Sequence, residues 1–72
     1  MTDEEFLKAL GARIVAFRIE KNMTQVQLAQ KLGTYYQMIG RIERGKVNCT
    51  IKTLKKLANE FDISLSELLR IE

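Results

Sequence analysis

The chain has 72 residues, no proline, no histidine and one cysteine, and its formal net charge at pH 7 is +3. A chain this short buries only about 60% of its unfolded surface, so it cannot enclose a deep catalytic cavity and depends on well-packed helices. The lack of histidine removes the commonest general base and metal ligand, and Cys49 alone excludes an internal disulfide and a thiolate metal site.

The first predicted element is a helix that runs from the N-terminus to about Glu20. Thr2 and Glu5 have the spacing of a capping box, and the acidic residues of the first turn favour the positive end of the helix. Apolar residues at intervals of three and four predict an inward face made of Leu7, Leu10, Ile14 and Phe17. The same periodicity directs Glu5, Lys8, Arg13 and Glu20 mostly towards solvent. Gly11 weakens the helix by about 1 kcal/mol relative to alanine.

The segment from Thr24 to Lys46 predicts two short helices that cross at a steep angle. Thr24 and Gln27 form a second capping box for a helix over residues 25–32. Gly33 can adopt the left-handed conformation that ends this helix within one residue. The small side chain of Ala29 lets the next helix cross closely without opening a gap in the packing.

The third helix is predicted over residues 36–44, with Ile39 and Ile42 on its inner face. By sequence rules, Thr34 and Gln37 offer a capping box for this helix, although its N-cap stays open. A cap at Thr34 or one residue later keeps Tyr36, Gln37, Gly40 and Arg41 on the opposite, outer face.

Two further helices complete the predicted fold. Thr50 caps a fourth helix whose apolar stripe closes the core and comprises Ile51, Leu54, Leu57, Ala58 and Phe61. Ser64 and Glu67 form a third capping box that starts a fifth helix. A core this small is not expected to cover all the apolar residues at the C-terminus, so part of that surface is predicted to contact a second copy of the chain through Leu65, Leu69 and Ile71.

The strings QLAQKLG and MIGRIERGK, separated by four variable residues, resemble the helix-turn-helix of the Cro and phage-repressor-like family of DNA-binding proteins. The matching residues are Gln25, Leu28, Ala29, Gly33, Ile39, Ile42, Glu43 and Gly45. The resemblance extends from about Leu10 to Leu69. It implies an all-α, compact, five-helix, lambda-repressor-like domain with the helix-turn-helix at helices 2 and 3. The family pattern puts the N-cap of helix 3 at Tyr35 and not at Thr34, and the two alternatives stay open. The chain departs from that pattern at Tyr35, where a small capping residue is usual, and at Cys49, where proline is usual.

The resemblance also implies roles for single residues. Arg18 would pair with Glu43 and fix the angle between two helices, which we favour over the alternative of a solvent-facing arginine. Gln25 would touch a DNA phosphate and brace the first recognition residue. The alternative is that Gln25 is an exposed residue at the start of a helix, without a specific role. Tyr35 and Tyr36 could instead form an aromatic patch for a protein partner.

The outer face of the third helix carries residue types that read base edges. Gln37 can hydrogen-bond adenine, Arg41 can bond guanine or a phosphate, and Tyr36 can reach a phosphate or a thymine methyl group. A glycine at position 40 would let the backbone lie close to DNA, and Lys46 and Asn48 would meet the sugar-phosphate backbone. The predicted DNA contacts are Gln25, Tyr35, Tyr36, Gln37, Gly40, Arg41, Arg44, Lys46 and Asn48.

The charges are unevenly distributed along the chain. Residues 31–56 contain seven basic residues against Glu43 alone, a net charge of +6, whereas residues 1–30 sum to zero and residues 57–72 sum to −3. A basic block over the recognition segment is expected of a protein that binds a polyanion. The alternative is a lysine-rich helix face that only contacts solvent.

These patterns predict one domain over residues 1–72, without a separate effector domain, that binds double-stranded DNA as a homodimer and regulates transcription, as a repressor by family resemblance. The rival interpretation is a protein-interaction module of the same fold, such as an antitoxin or adaptor. No enzymatic activity, cofactor, metal or small-molecule ligand is expected. The absence of an apolar run of about 18 residues and of a signal peptide predicts a cytoplasmic protein without membrane association.

Overall fold

The computed structural model describes residues 1–71, which form five α-helices and no β-strand over that range. The helices are α1 (Asp3–Glu20), α2 (Gln25–Leu32), α3 (Tyr36–Glu43), α4 (Ile51–Glu60) and α5 (Leu65–Leu68). The predicted all-α, five-helix fold is therefore confirmed. The bounds of α2 agree with the prediction, and α3 ends one residue earlier than predicted. No helix among the described residues has both the length and the hydropathy needed to cross a lipid bilayer.

Side-chain caps fix where most of the helices begin. The capping boxes at Thr2 and Thr24 are both complete, as predicted. At α5 only half of the predicted box forms, because the Ser64 hydroxyl accepts a hydrogen bond from the Glu67 backbone amide while the Glu67 carboxylate bonds elsewhere. The N-cap of α3 is Tyr35, which makes no side-chain capping bond, so the Thr34 alternative is wrong.

One hydrophobic cluster joins all five helices. Its buried side chains are Leu10, Ile14, Leu28, Ala29, Ile39, Ile42, Leu54, Leu57, Ala58, Phe61 and Leu68. Ile51 was expected in this cluster but is 61% exposed. It occupies the first turn of α4 and borders a surface groove beside Phe6 and Leu69, both only partly covered, so the apolar stripe of α4 extends beyond the core it packs on.

The C-terminal end of α3 lies directly against α1. A Cβ atom built on Gly11 would overlap the carbonyl oxygen of Glu43 and lie 2.7 Å from that of Ile42, and one built on Gly45 would lie 2.8 Å from the backbone nitrogen of Lys8. These positions are closer than van der Waals contact, so only glycine fits at both sites. The predicted weakness of α1 at Gly11 therefore has a packing reason, which is the close approach of α3.

Arg13 links α1 to the end of α5, although the helical periodicity predicted that it would point to water. Its guanidinium donates to the backbone carbonyls of Glu67, at 2.7 Å from Nη2, and of Leu68, at 3.2 Å from Nε. The carbonyls of the last helical turn have no partner within the helix, and Arg13 satisfies two of them. The guanidinium also lies 5.2 Å from the centre of the Phe17 ring, a cation–π distance.

Candidate nucleic-acid interface

The tight turn between α2 and α3 places the two helices against each other. Gly33 caps α2 in the left-handed conformation with φ of 72°, as the sequence predicted. The backbone amide of Thr34 donates to the carbonyl of Ala29 at 2.9 Å, which closes the turn. Ala29 and Leu28 are buried against α3, so the small residue and the glycine serve the roles expected of them.

A polar network fixes the C-terminal end of α3 relative to α1 and α2. Arg18 donates from Nε to Glu43 Oε2 at 2.6 Å and from Nη2 to Glu43 Oε1 at 3.2 Å. The side chains are 14% and 5% exposed, so the Arg18–Glu43 ion pair is largely shielded from water. Arg18 Nη1 also donates to the carbonyl of Met23 at 2.8 Å, which ties in the α1–α2 connection.

Gln25, at the start of α2, is the third member of this network. Its Nε2 donates to Glu43 Oε1 at 2.8 Å, so the side chain reaches from α2 across to the end of α3. Gln25 is half-buried, so the alternative that it is a freely exposed residue at the start of α2 is wrong. The carbonyl oxygen of the Gln25 side chain can still accept a hydrogen bond, and its amide group holds α2 and α3 in register.

Gly40 was expected on the exposed face of α3, and this expectation is wrong. Gly40 is buried, and a Cβ atom at this position would lie 3.1 Å from Arg44 Nη1 and 3.7 Å from Gln25 Nε2. The side chain of Gln25 passes over Gly40 on its way to Glu43, and Arg44 folds back over the same spot. Gly40 therefore provides room for two polar side chains instead of presenting bare backbone at the surface.

The remaining outer residues of α3 are exposed. Tyr36 is 50% exposed, and Gln37 and Arg41 follow it on the same face, while Ile39 and Ile42 are buried on the other face. Tyr35, just before the helix, is 59% exposed. The helix thus presents one row of aromatic, amide and guanidinium groups to solvent.

The loop that follows α3 continues this surface. Gly45 adopts φ of 74°, and the amide of Lys46 donates to the carbonyl of Arg41 at 2.9 Å, which turns the chain sharply away from the helix axis. The side chains of Lys46 and Asn48 are exposed next to the end of α3. Cys49 is half-buried, and burial raises the pKa of its thiol, so the side chain is uncharged at neutral pH.

The basic block over residues 31–56 carries almost no internal compensation. The ion pairs within residues 1–71 are Arg13–Glu67, Arg18–Glu43, Lys21–Asp62 and Arg70–Glu67. None of them uses a basic residue from positions 31–56. The seven cations of this block, which lie in α2, α3, α4 and the loop after α3, therefore carry their positive charge without an acidic partner, as expected of a surface that attracts a polyanion.

Sequence reasoning missed two features of this surface. The predicted contacts did not include Lys52, Lys55 and Lys56, although their spacing places them on one face of α4. The close approach of Gly11 to the backbone of Glu43 was also not predicted. The one feature of the sequence that could have indicated it is a glycine in the interior of an otherwise well-formed helix. In the described part of the chain, no three carboxylate or cysteine side chains are grouped as metal ligands would be.

Comparison with known protein families gives a match to a family described as Helix-turn-helix, which covers residues 14–68 of this chain. Among curated proteins, the immunity repressor of Bacillus phage phi105 is 37% identical over 59 residues. That alignment spans 82% of this chain but only 41% of the phage repressor, so the chain corresponds to less than half of that relative.

Two solved structures share most of this arrangement of helices. The restriction-modification controller protein C.AhdI from Aeromonas hydrophila superposes with a TM-score of 0.87 and 31% sequence identity, covering 94% of this chain and 99% of that one. SinR, a master regulator of biofilm formation solved in complex with DNA, superposes with a TM-score of 0.76 and 34% identity, covering 83% and 97% of the two chains.

Proposed function

The chain belongs to the helix-turn-helix family of DNA-binding transcriptional regulators, and we propose that it represses transcription by occupying an operator whose bases it reads with α3. In this proposal residues 1–72 act as one DNA-binding domain in the cytoplasm, with no catalytic role. Repression follows from occupancy, because a protein bound at an operator blocks the access of polymerase.

The exposed row on α3 is the observation that carries this proposal. The inner face of α3 is anchored by Ile39 and Ile42, and the C-terminal end of the helix is fixed by the bidentate bond from Arg18 to Glu43. A recognition helix must be held rigidly, because base readout depends on hydrogen bonds with narrow distance and angle limits. The row is therefore presented on a fixed support, as a major-groove reader requires.

The residues divide into base readers and phosphate holders. In the groove, Gln37 would form a bidentate pair with adenine, Arg41 would bond guanine or a phosphate, and Tyr36 would contact a phosphate or a thymine methyl group. The backbone of the duplex would be held by a surrounding set: Gln25, Tyr35, Arg44, Lys46 and Asn48. Gly40 is left out of the contacts, because Gln25 and Arg44 cover it.

We expect Gln37→Ala to cost about 1 to 3 kcal/mol on the best site and to relax the preference at one base pair, because it removes a bidentate base contact. Lys46→Ala should weaken binding to all sequences alike and reduce the magnitude of the salt slope by roughly one, because it removes a phosphate contact. The best site is the duplex that the wild-type protein enriches from a random pool, called the selected site. Equilibrium titrations of both variants against the selected site and a scrambled duplex, at several salt concentrations, measure both effects.

Both side chains are exposed, so neither substitution should change the melting temperature appreciably, and thermal melts serve as the control. Equal losses on the selected and scrambled duplexes with Gln37→Ala would mean that α3 does not read the sequence.

We also propose that the protein binds as a homodimer on a two-fold symmetric operator, with Leu65, Leu69 and Ile71 in the contact. A single α3 would contact too little DNA for useful specificity, whereas a symmetric pair places two recognition helices about 34 Å apart, one turn of the duplex. The surplus of apolar surface at α5 is smaller than the sequence predicted, because Leu68 is fully buried and the other three are partly buried against the core.

The apolar surface near this contact is nevertheless extended. Leu69 shares a groove with Phe6 and Ile51, which are 36% and 61% exposed, so the three together offer more apolar surface than α5 alone. If a second copy of the chain covered this groove when the dimer forms on DNA, the apolar side chains of the groove would be buried between the two copies.

We therefore expect Ile51→Glu and Leu69→Glu to weaken binding to a symmetric operator and to reduce the stoichiometry from two chains to one. Ile51→Glu is the cleaner variant, because its side chain is exposed and a carboxylate in the first turn of α4 favours the helix. Sedimentation of the protein–DNA complex gives the stoichiometry. One wild-type chain per selected site, without an inverted repeat in the DNA, would rule out the dimer.

A protein-interaction module is the second candidate, and the exposure of Tyr35 and Tyr36 favours it. Aromatic residues on a surface commonly anchor a protein partner. Binding to random duplex DNA that weakens steeply with salt distinguishes the candidates, since phosphate contacts give such a dependence and an aromatic protein contact does not.

A further inference from the structure

The outer side of α4 carries a lysine face, which we define as Lys52, Lys55 and Lys56. All three side chains are exposed, and their i, i+3, i+4 spacing places them on one side of the helix. Together with Asn59 they line a single shallow depression. Within residues 1–71 none of the three forms an ion pair, so the face is a concentration of positive charge with no compensation in the fold.

The lysine face is continuous with the surface proposed to read DNA. Lys56 also lines a groove of about 260 Å³ whose lining includes Met38 of α3 and Asn48, one of the proposed phosphate contacts. It therefore lies where α4 borders the loop that follows the recognition helix. A duplex seated on α3 would continue past this border, because DNA is a rod with one phosphate charge per roughly 1.7 Å of axis.

We propose that the lysine face binds the phosphate backbone of the same duplex outside the base pairs that α3 contacts, an inference that rests on the proposed DNA binding. The residues around the depression favour phosphate over an apolar protein surface, because they are three lysines and one asparagine, with no hydrophobic residue for a protein contact to bury. Lysine ammonium groups bind phosphate as mobile point charges and impose no sequence preference.

The test uses the double variant Lys52→Gln/Lys56→Gln on two duplexes, one with flanking base pairs on both sides of the selected site and one trimmed to the site itself. The substitution removes two like charges four residues apart and no core contact, so the variant should fold at least as well as the parent protein. On the long duplex we expect the magnitude of the salt slope to fall by about 1.8, which is about 0.9 for each lost phosphate contact. On the trimmed duplex the variant and the parent should bind alike.

Two control variants separate the proposed contact from a general effect of charge. Lys52→Arg/Lys56→Arg keeps both charges and should retain the parent slope on the long duplex. Lys21→Gln removes a lysine from an exposed pair with Asp62 and should leave the slope unchanged on both duplexes.

A parent-like slope of Lys52→Gln/Lys56→Gln on the long duplex would overturn the proposal, and so would an equal reduction on the long and trimmed duplexes, which would place the lysines over the bases that α3 reads. If the parent protein bound neither duplex in a salt-dependent manner, the DNA-binding function itself would fail. That outcome is distinct from a failure of the lysine face alone.

Discussion

Replacement of Arg18 by alanine is expected to destabilise the fold by about 3 to 5 kcal/mol, because it leaves the Glu43 carboxylate buried without its cation. Glu43 is 5% exposed in its side chain and would keep only the hydrogen bond from Gln25 Nε2. Glu43→Ala should cost a similar amount, since Arg18 is 14% exposed and would keep only the carbonyl of Met23. The double variant should lose less stability than the sum of the two losses, because each single change leaves the other charge of the pair without a partner and the double change leaves no unpaired charge. Urea unfolding of the four proteins measures the coupling.

The exposed pair between Lys21 and Asp62 provides a matched control for this cycle. Its side chains are 39% and 79% exposed, so alanine substitutions there should cost no more than about 1 kcal/mol and show little coupling. Additive losses for Arg18→Ala and Glu43→Ala would mean that the pair does not fix α3 to α1.

Gly11→Ala is the second change with a large expected effect. The new methyl group would overlap the carbonyl of Glu43 and the carbonyl of Ile42, and both are backbone atoms that cannot rotate away. Overpacking of this kind costs about 1 to 3 kcal/mol or more, and it acts against the gain of about 1 kcal/mol that alanine brings to a helix interior. We expect a net loss of stability in urea unfolding and weaker DNA binding, because α3 must shift relative to α1.

Gly33→Ala gives the contrasting case. Gly33 has φ of 72°, and no neighbouring atom lies within 4 Å of the place that a Cβ would occupy, so alanine would meet backbone strain of about 1 to 2 kcal/mol without a clash. This substitution should leave the position of α3 relative to α1 unchanged. Stabilisation of the protein by Gly11→Ala would show that the helices are further apart than the structure places them.

Much of the fold follows from local signals in the sequence. The caps at Thr2, Thr24 and Thr50 and the left-handed Gly33 depend on neighbouring residues alone, so their prediction needed no tertiary information. The apolar periodicity located the buried faces of α2 and α3 for the same reason. The resemblance to repressors supplied the Arg18–Glu43 pair, which links residues 25 positions apart.

The errors arise where a residue's position depends on a distant part of the chain. Gly40 lies on the outer side of α3 by periodicity, but Gln25 from another helix covers it. Arg13 lies on an outward position of α1, yet the end of α5 lies within its reach. Ile51 has the right spacing for the core, but the buried part of α4 begins one turn later, at Leu54. Helical spacing predicts the direction in which a side chain points, but it does not predict which other part of the fold lies there.

The central claim is that α3 reads the sequence of duplex DNA, and selection of bound duplexes from a random pool tests it most directly. The wild-type protein should enrich one motif arranged as an inverted repeat, and Gln37→Ala should enrich the same motif with one position relaxed in each half. Failure of the wild-type protein to enrich any motif, or enrichment by Gln37→Ala of a motif identical to that of the wild type, would contradict this claim.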